Sequence, residues 1–172
     1  MKKLSLMLWL FLLGIPMVPT LMARTYYPVV NTKANGATSI AELANGIVQA
    51  IQSHDFDQLS AYLITDAELA ALKRQPSADL QAVITNTTAA DLKNHLKSDY
   101  DALLQEGVNR TVNWSALTLA ESKAGKGSPK TKLLQPVLIT LTNKENQAVQ
   151  VAFETIKING RYFLFRQMKL QA

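Results

Sequence analysis

The chain has 172 residues, 48 % of them apolar, which suits one domain with one core. Its 18 basic residues against 13 acidic ones make it only mildly basic, which excludes the dense cationic patch that nucleic acid demands. The absence of cysteine excludes a disulfide framework and thiol chemistry, so stability must come from the core.

The first 23 residues have the three parts of a secretory signal in order. Lys2 and Lys3 are a short positive start, Leu4 to Ile15 is a 12-residue apolar run, and Pro16 and Pro19 punctuate a tail that ends at Ala23. Cleavage after Ala23 is the expectation. The alternative is an uncleaved anchor. A spanning helix needs about 20 apolar residues, and the two prolines interrupt the only window that supplies them. Cleavage leaves 149 residues and removes two lysines, so 16 basic residues face 13 acidic ones, a net charge of +3. The reading is an exported protein, periplasmic or secreted, with no stable membrane insertion after cleavage. A bacterial periplasm is preferred, in which the sequons at Asn86, Asn109 and Asn113 are chance matches.

Residues 24–37 have no periodicity and carry Pro28, Asn31, Asn35 and Gly36, so they read as an extended lead-in to a single domain over 38–172. Ser39 with Glu42 forms a capping box, and Ile40, Leu43, Ala44, Ile47, Val48 and Ile51 make a helical stripe up to about Ser53. Asp55 caps a second helix that carries Phe56, Leu59, Tyr62 and Leu63. Thr65 with Glu68 opens a third, which Pro76 stops, and a further segment runs from Leu80 to Ile84. Thr88 caps the last long helix. Leu92, Leu96, Tyr100, Leu103 and Leu104 form its buried face, and Gly107 suits its end.

From Thr111 the pattern becomes that of strands: Thr111–Glu121, Leu133–Thr142, Ala148–Ile158 and Arg161–Leu170, with a loop at 123–132. Asn159-Gly160 is a two-residue hairpin turn, since type I′ requires positive φ at both positions. That turn pairs Ile158 with Arg161 and Lys157 with Tyr162. Carried outward, it pairs Thr155 with Leu164, Phe153 with Arg166 and Val151 with Met168. One face then carries Val149, Val151, Phe153, Leu164, Met168 and Leu170 toward the helices. The other carries Ile156, Phe163 and Phe165, an aromatic cluster suited to a homodimer contact. An even-length turn at Asn143–Asn146 puts Val137, Ile139 and Leu141 on that mixed face, whereas an odd-length loop, which the hydrophobic pattern favours, puts them in the core. The expected class is α+β, with N-terminal helices packed on one face of a C-terminal four-stranded antiparallel meander.

The order of elements, the His-Asp-Phe-Asp-Gln-Leu joint at 54–59 and the closing Ile-Asn-Gly-Arg-Tyr-Phe-Leu at 158–164 resemble the nuclear transport factor 2-like superfamily. The resemblance implies a cone-shaped, cystatin-like fold over about residues 38–171. It implies no single function, because that fold hosts isomerases, transport factors, secretion-machine domains and exported proteins of other roles.

The chemistry-bearing residues are few. His54 and His95 are the two histidines, and His54 sits in a helix joint where Asp55 caps and Asp57 takes the first turn, so neither a metal nor a cofactor is expected. Nothing matches a nucleophile elbow or a phosphate loop; Gly125-Lys126-Gly127-Ser128 lacks the following helix. Lys123, Lys126, Lys130 and Lys132 give a basic loop that keeps the hairpin soluble or touches an anionic envelope polymer.

One charge stands out. This register puts Arg166 in the apolar, helix-facing row between Leu164 and Met168, where a guanidinium must be paired or wet. It either pairs with Asp99 or Glu106, or lines the open end of the cone and receives an anionic group. Tyr62, Tyr100, His95 and Trp114 would then form the walls. The functional expectation is a non-enzymatic envelope domain that binds a small ligand or a partner protein. An isomerase- or dehydratase-like enzyme and a periplasmic part of a secretion assembly are the alternatives.

Overall fold

The structure is a computed structural model and describes residues 35–75, 77–126, 133–145 and 147–171. The signal segment 1–23, the lead-in up to residue 34, Pro76, Asn146 and the basic-loop residues Lys130 and Lys132 lie outside those spans. Four helices precede four strands: α1 Ile40–Ser53, α2 Asp66–Lys73, α3 Ala78–Ile84, α4 Ala89–Asn109, β1 Thr118–Ala124, β2 Leu134–Thr142, β3 Ala148–Ile158 and β4 Arg161–Leu170. The strands form one antiparallel sheet in the order β1-β2-β3-β4, the expected meander. Among the described residues no helix is long and apolar enough to cross a membrane.

Local signals account for the element boundaries. Ser39 Oγ accepts from the N–H of Glu42 at 3.1 Å, but the Glu42 carboxylate returns to Thr38, on both its N–H and its hydroxyl, rather than to Ser39. The first capping box is therefore shifted by one residue on its acidic side. At α2 Glu68 accepts from Thr65 N–H as expected, and at α4, where Thr88 was expected only as a cap, Asp91 accepts from Thr88 N–H and completes a box. The Thr88 hydroxyl and N–H hold the Asp91 carboxyl below the usual carboxylate range. α1 ends at His54, whose φ of +53° is the left-handed cap conformation. Asp55 then accepts from Asp57 N–H and starts the next segment, which is a 3-10 helix over Phe56–Tyr62 rather than an α-helix. The joint at 54–57 is thus a stop followed at once by a start.

Two boundaries differ from expectation. Gly107 does not end α4 but lies inside it, buried, with the Trp114 ring seated against it. A Cβ at Gly107 would overlap Cζ2 of Trp114, so the glycine serves close approach rather than a turn. The first strand starts at Thr118, not Thr111, because α4 runs to Asn109, Thr111 takes a φ of +55°, and Trp114–Ala116 form a 3-10 turn.

At the Asn159-Gly160 hairpin both residues have positive φ, 49° and 80°, and the pairs Ile158–Arg161, Lys157–Tyr162 and Thr155–Leu164 form as expected. Beyond Leu164 the register departs from the unbulged one. Glu154 pairs with Arg166, Phe153 with Met168 and Val151 with Leu170, so β4 holds Phe165 and Gln167 as two extra residues. Gln167 absorbs the second bulge with a φ of +57°, a conformation usually reserved for glycine. The turn between β2 and β3 spans five residues, 143–147, and Val137, Ile139 and Leu141 enter the core as the odd count requires.

The helices do not occupy one face alone. β3 pairs with β2 without a break, so its side chains alternate strictly. Val151 and Phe153 join the cluster built on α1 and α4, with Leu43, Ile47, Leu96 and Leu103. Ile156 and Ile158, on the opposite face, join a second cluster with Phe163, Phe165 and Leu134 under Leu69 and Leu72 of α2 and Leu80 and Ile84 of α3. The aromatic face assigned to a homodimer is therefore covered by this chain's own short helices. Ile156, Phe163 and Phe165 are at most 2 % exposed and offer no surface to a second copy. The alternation was read correctly, but apolar residues on both faces mean a sheet covered on both sides.

Candidate functional site

The five residues singled out from the sequence are scattered. Tyr100 is 1 % exposed; its hydroxyl donates to Ala50 O at 2.7 Å and its ring meets Phe56 edge-on at 5.5 Å. Burial, with the charges of Asp55 and Asp101, pushes the phenol up to about 12, so it stays a donor and ties α4 to the end of α1. Tyr62 is half-buried, its ring against Gly46. His95 is exposed on α4. Trp114 is 3 % exposed, and its Nε1–H has no hydrogen-bond partner among the described residues.

Arg166 does not sit in the apolar row that faces α1 and α4. The bulge at Phe165 turns it to the opposite face, where its Nε contacts the Glu154 carboxylate at 2.5 Å and its guanidinium lies 5.7 Å from the Phe165 ring. Neither expected partner is used. Asp99 accepts from the backbone N–H of Met168, and Glu106 pairs with Arg110. The Arg166 and Glu154 side chains are 38 % and 23 % exposed, between a surface pair worth about 0–1 kcal/mol and a buried one worth about 3–5. Arg166→Met should therefore cost about 1–2 kcal/mol, and adding Glu154→Gln should restore part of it. Paired thermal melts of the single and double variants check this. A single variant as stable as the parent would show that the pair contributes nothing.

A cleft of about 490 Å³ lies elsewhere, at the sheet end where β2 finishes, β3 begins and β4 finishes. Its floor is aliphatic: Val112, Leu117, Val149 and Leu170. Its rim is made of carboxamides from Asn113, Asn143, Gln147, Gln150 and Gln171, beside Arg110 and Thr111. The meander brings these together, since it returns alternate strand ends to one edge. Arg110, the residue after α4, bridges helix and sheet. Its Nη2 pairs with Glu106, and its Nη1 donates to Gln171 O at 3.4 Å. Asn143 and Gln147 shape the turn: Asn143 Oδ1 accepts from the N–H groups of Glu145 and Gln147, and its Nδ2 donates to Gln147 Oε1. Asn113 Oδ1 accepts from Ser115 Oγ. The carboxamides of Gln150 and Gln171 make no hydrogen bond among the described residues, although the Gln171 backbone N–H is bonded to Gln150 O.

No protein-family model, no curated protein and no solved structure matches the chain.

Backbone strain marks the same place. Thr111, a β-branched residue, is held at a φ of +55° with its hydroxyl donating to Arg110 O at 2.7 Å. Such a conformation costs on the order of 1–3 kcal/mol and persists where surrounding structure imposes it, most often at sites. Val112 N–H returns to Gly107 O and Thr111 N–H to Val108 O, which closes the helix and turns the chain over the cleft floor. The lining residues offer hydrogen bonds, apolar contact and one compensated cation, but no carboxylate, histidine or tyrosine for proton transfer. Among the described residues no cluster of three His, Cys, Asp or Glu stands close enough to hold a metal.

Each of these residues is ordinary in its own stretch of sequence. The available signal was positional. In a four-stranded meander, residues 111–113, 143, 147–150 and 171 must meet at one end, and there the carboxamides accumulate.

Proposed function

We propose that this is an exported cell-envelope domain that binds a small ligand, or a short segment of a partner protein, in the cleft at the β2–β3–β4 end of its sheet. The observation that carries the reading is the pairing of an aliphatic floor with uncommitted carboxamides, the composition of a recognition site rather than of a catalytic one. The tripartite start of the chain supplies the exported location. The cone-like superfamily reading draws support from the His54–Asp57 joint, the Asn159-Gly160 hairpin and the helix-then-meander order.

Two measurements test it. Intact mass of protein recovered from the expressing cell should give an N-terminus at Arg24 in the soluble envelope fraction. A mass retaining residues 1–23 in the membrane fraction would overturn processing and favour an anchored part of a secretion assembly. Amide spectra of the labelled mature protein, with and without soluble envelope extract, should show displaced signals at 110–113, 147–150 and 170–171. Displacement confined to the α2–α3 side would place the site elsewhere.

A further inference from the structure

Resting on the cleft as the binding site, we infer that its ligand is a short, extended, uncharged stretch of peptide. Electrostatics come first. The cation at the rim, Arg110, is already neutralised by Glu106 and stands at the C-terminal end of α4, where the helix dipole is negative. The cleft therefore presents little net charge, and an anionic group gains little by entering it. Hydrogen-bonding capacity comes second. Gln150 and Gln171 each hold one carbonyl and one NH2 in a plane, with no hydrogen bond among the described residues. That set mirrors the C=O and N–H of a peptide group and can pair with it through two bonds. The Nδ2 of Asn113 and the Nε2 of Gln147 add donors at the rim.

The floor decides between peptide and sugar. Val112, Leu117, Val149 and Leu170 form a branched aliphatic surface that suits an aliphatic side chain. The C–H face of a sugar ring packs best on an aromatic ring, and among the described residues none lines the cleft. Trp114, next to the rim residue Asn113, is committed to Gly107 instead. A volume of about 490 Å³ falls within the 300–1,000 Å³ typical of small-ligand sites, enough for about three residues of chain.

The test titrates labelled mature protein with three probes: an N-acetylated, C-amidated Ala-Val-Ala tripeptide, the same peptide as its free acid, and chitotriose. The amide should displace the amide signals of residues 110–113, 147–150 and 171 along a saturating curve that is the same at low and high salt. Gln150→Ala, at an exposed position that leaves folding intact, should weaken that curve about tenfold, as expected for a paired hydrogen-bonding group. A tenfold preference for the free acid, or a steep loss with salt, would overturn the uncharged assignment. Chitotriose moving these signals while the peptide does not would overturn the peptide assignment and leave the cleft as a binding site. Silence from all three probes would overturn the inference, while the envelope-extract spectra would still report on the cleft.

Discussion

Phe165→Ala should lower the stability of the mature protein by about 3–5 kcal/mol and its Tm by on the order of 10 °C. Phe165 is fully buried and packs with Phe163 and Ile156 beneath α2 and α3. It is also one of the two residues by which β4 exceeds its partner strand. Removing its ring opens a cavity under two short helices of 8 and 7 residues, which have little else to hold them. Neither helix is long enough to persist alone in water, so most of their order comes from this contact. Circular dichroism melts give the magnitude, and hydrogen exchange should show α2 and α3 losing protection before α1 and α4. If Phe165 instead lay on an open sheet face, its loss would change stability by no more than about 0.5 kcal/mol. That result would restore the aromatic face as a surface for a second copy.

Gly107→Ala carries the second large effect, and its sign is diagnostic. In the middle of an exposed helix, alanine for glycine gains about 0.5–1 kcal/mol. Here the added methyl would overlap the Trp114 ring, which is itself 3 % exposed. The ring must leave its seat or α4 must bend, at a cost of about 1–3 kcal/mol or more. Trp114 precedes β1 and follows the rim residue Asn113, so its displacement should also open the cleft floor at Leu117. Destabilisation in urea unfolding, with a red-shifted tryptophan emission once residues 1–23 and Trp9 are removed, is the expected outcome. A stabilised variant with unchanged emission would mean that the ring does not rest on Gly107.

The signals that were legible in the chain are local. Ser39, Asp55 and Thr88 each start a helical element because a short side chain meets an N–H two or three residues ahead, and Thr65 because its N–H and hydroxyl donate to the Glu68 carboxylate. Asn159-Gly160 sets its own turn because only those residue types enter left-handed backbone cheaply. The odd-length turn after Thr142 followed from hydrophobic alternation in β2 and β3, a period-two pattern that tolerates no one-residue slip.

Tertiary structure decided what depends on which surfaces meet. The bulges at Phe165 and Gln167 leave Leu164 and Met168 against α1 and α4 and Phe163 and Phe165 under α2 and α3, as plain alternation would, and change the face of the residue between them, Arg166. The two shifts cancel beyond Gln167, so the apolar alternation of β4 read alone carries no mark of them. The extra residue Phe165 moves Arg166 out of the apolar row and onto Glu154, and Gln167 restores the row at Met168. Gly107 looked like a helix end because the ring that requires it lies seven residues away, across a turn held by the strained Thr111. The cleft belongs to this second kind. Its carboxamides are spread along the sequence from Asn113 to Gln171, and only the return of the meander to one end makes them neighbours. Helix starts and turns are thus set by contacts a few residues long, whereas a recognition surface is set by chain topology and by packing on both faces of the sheet.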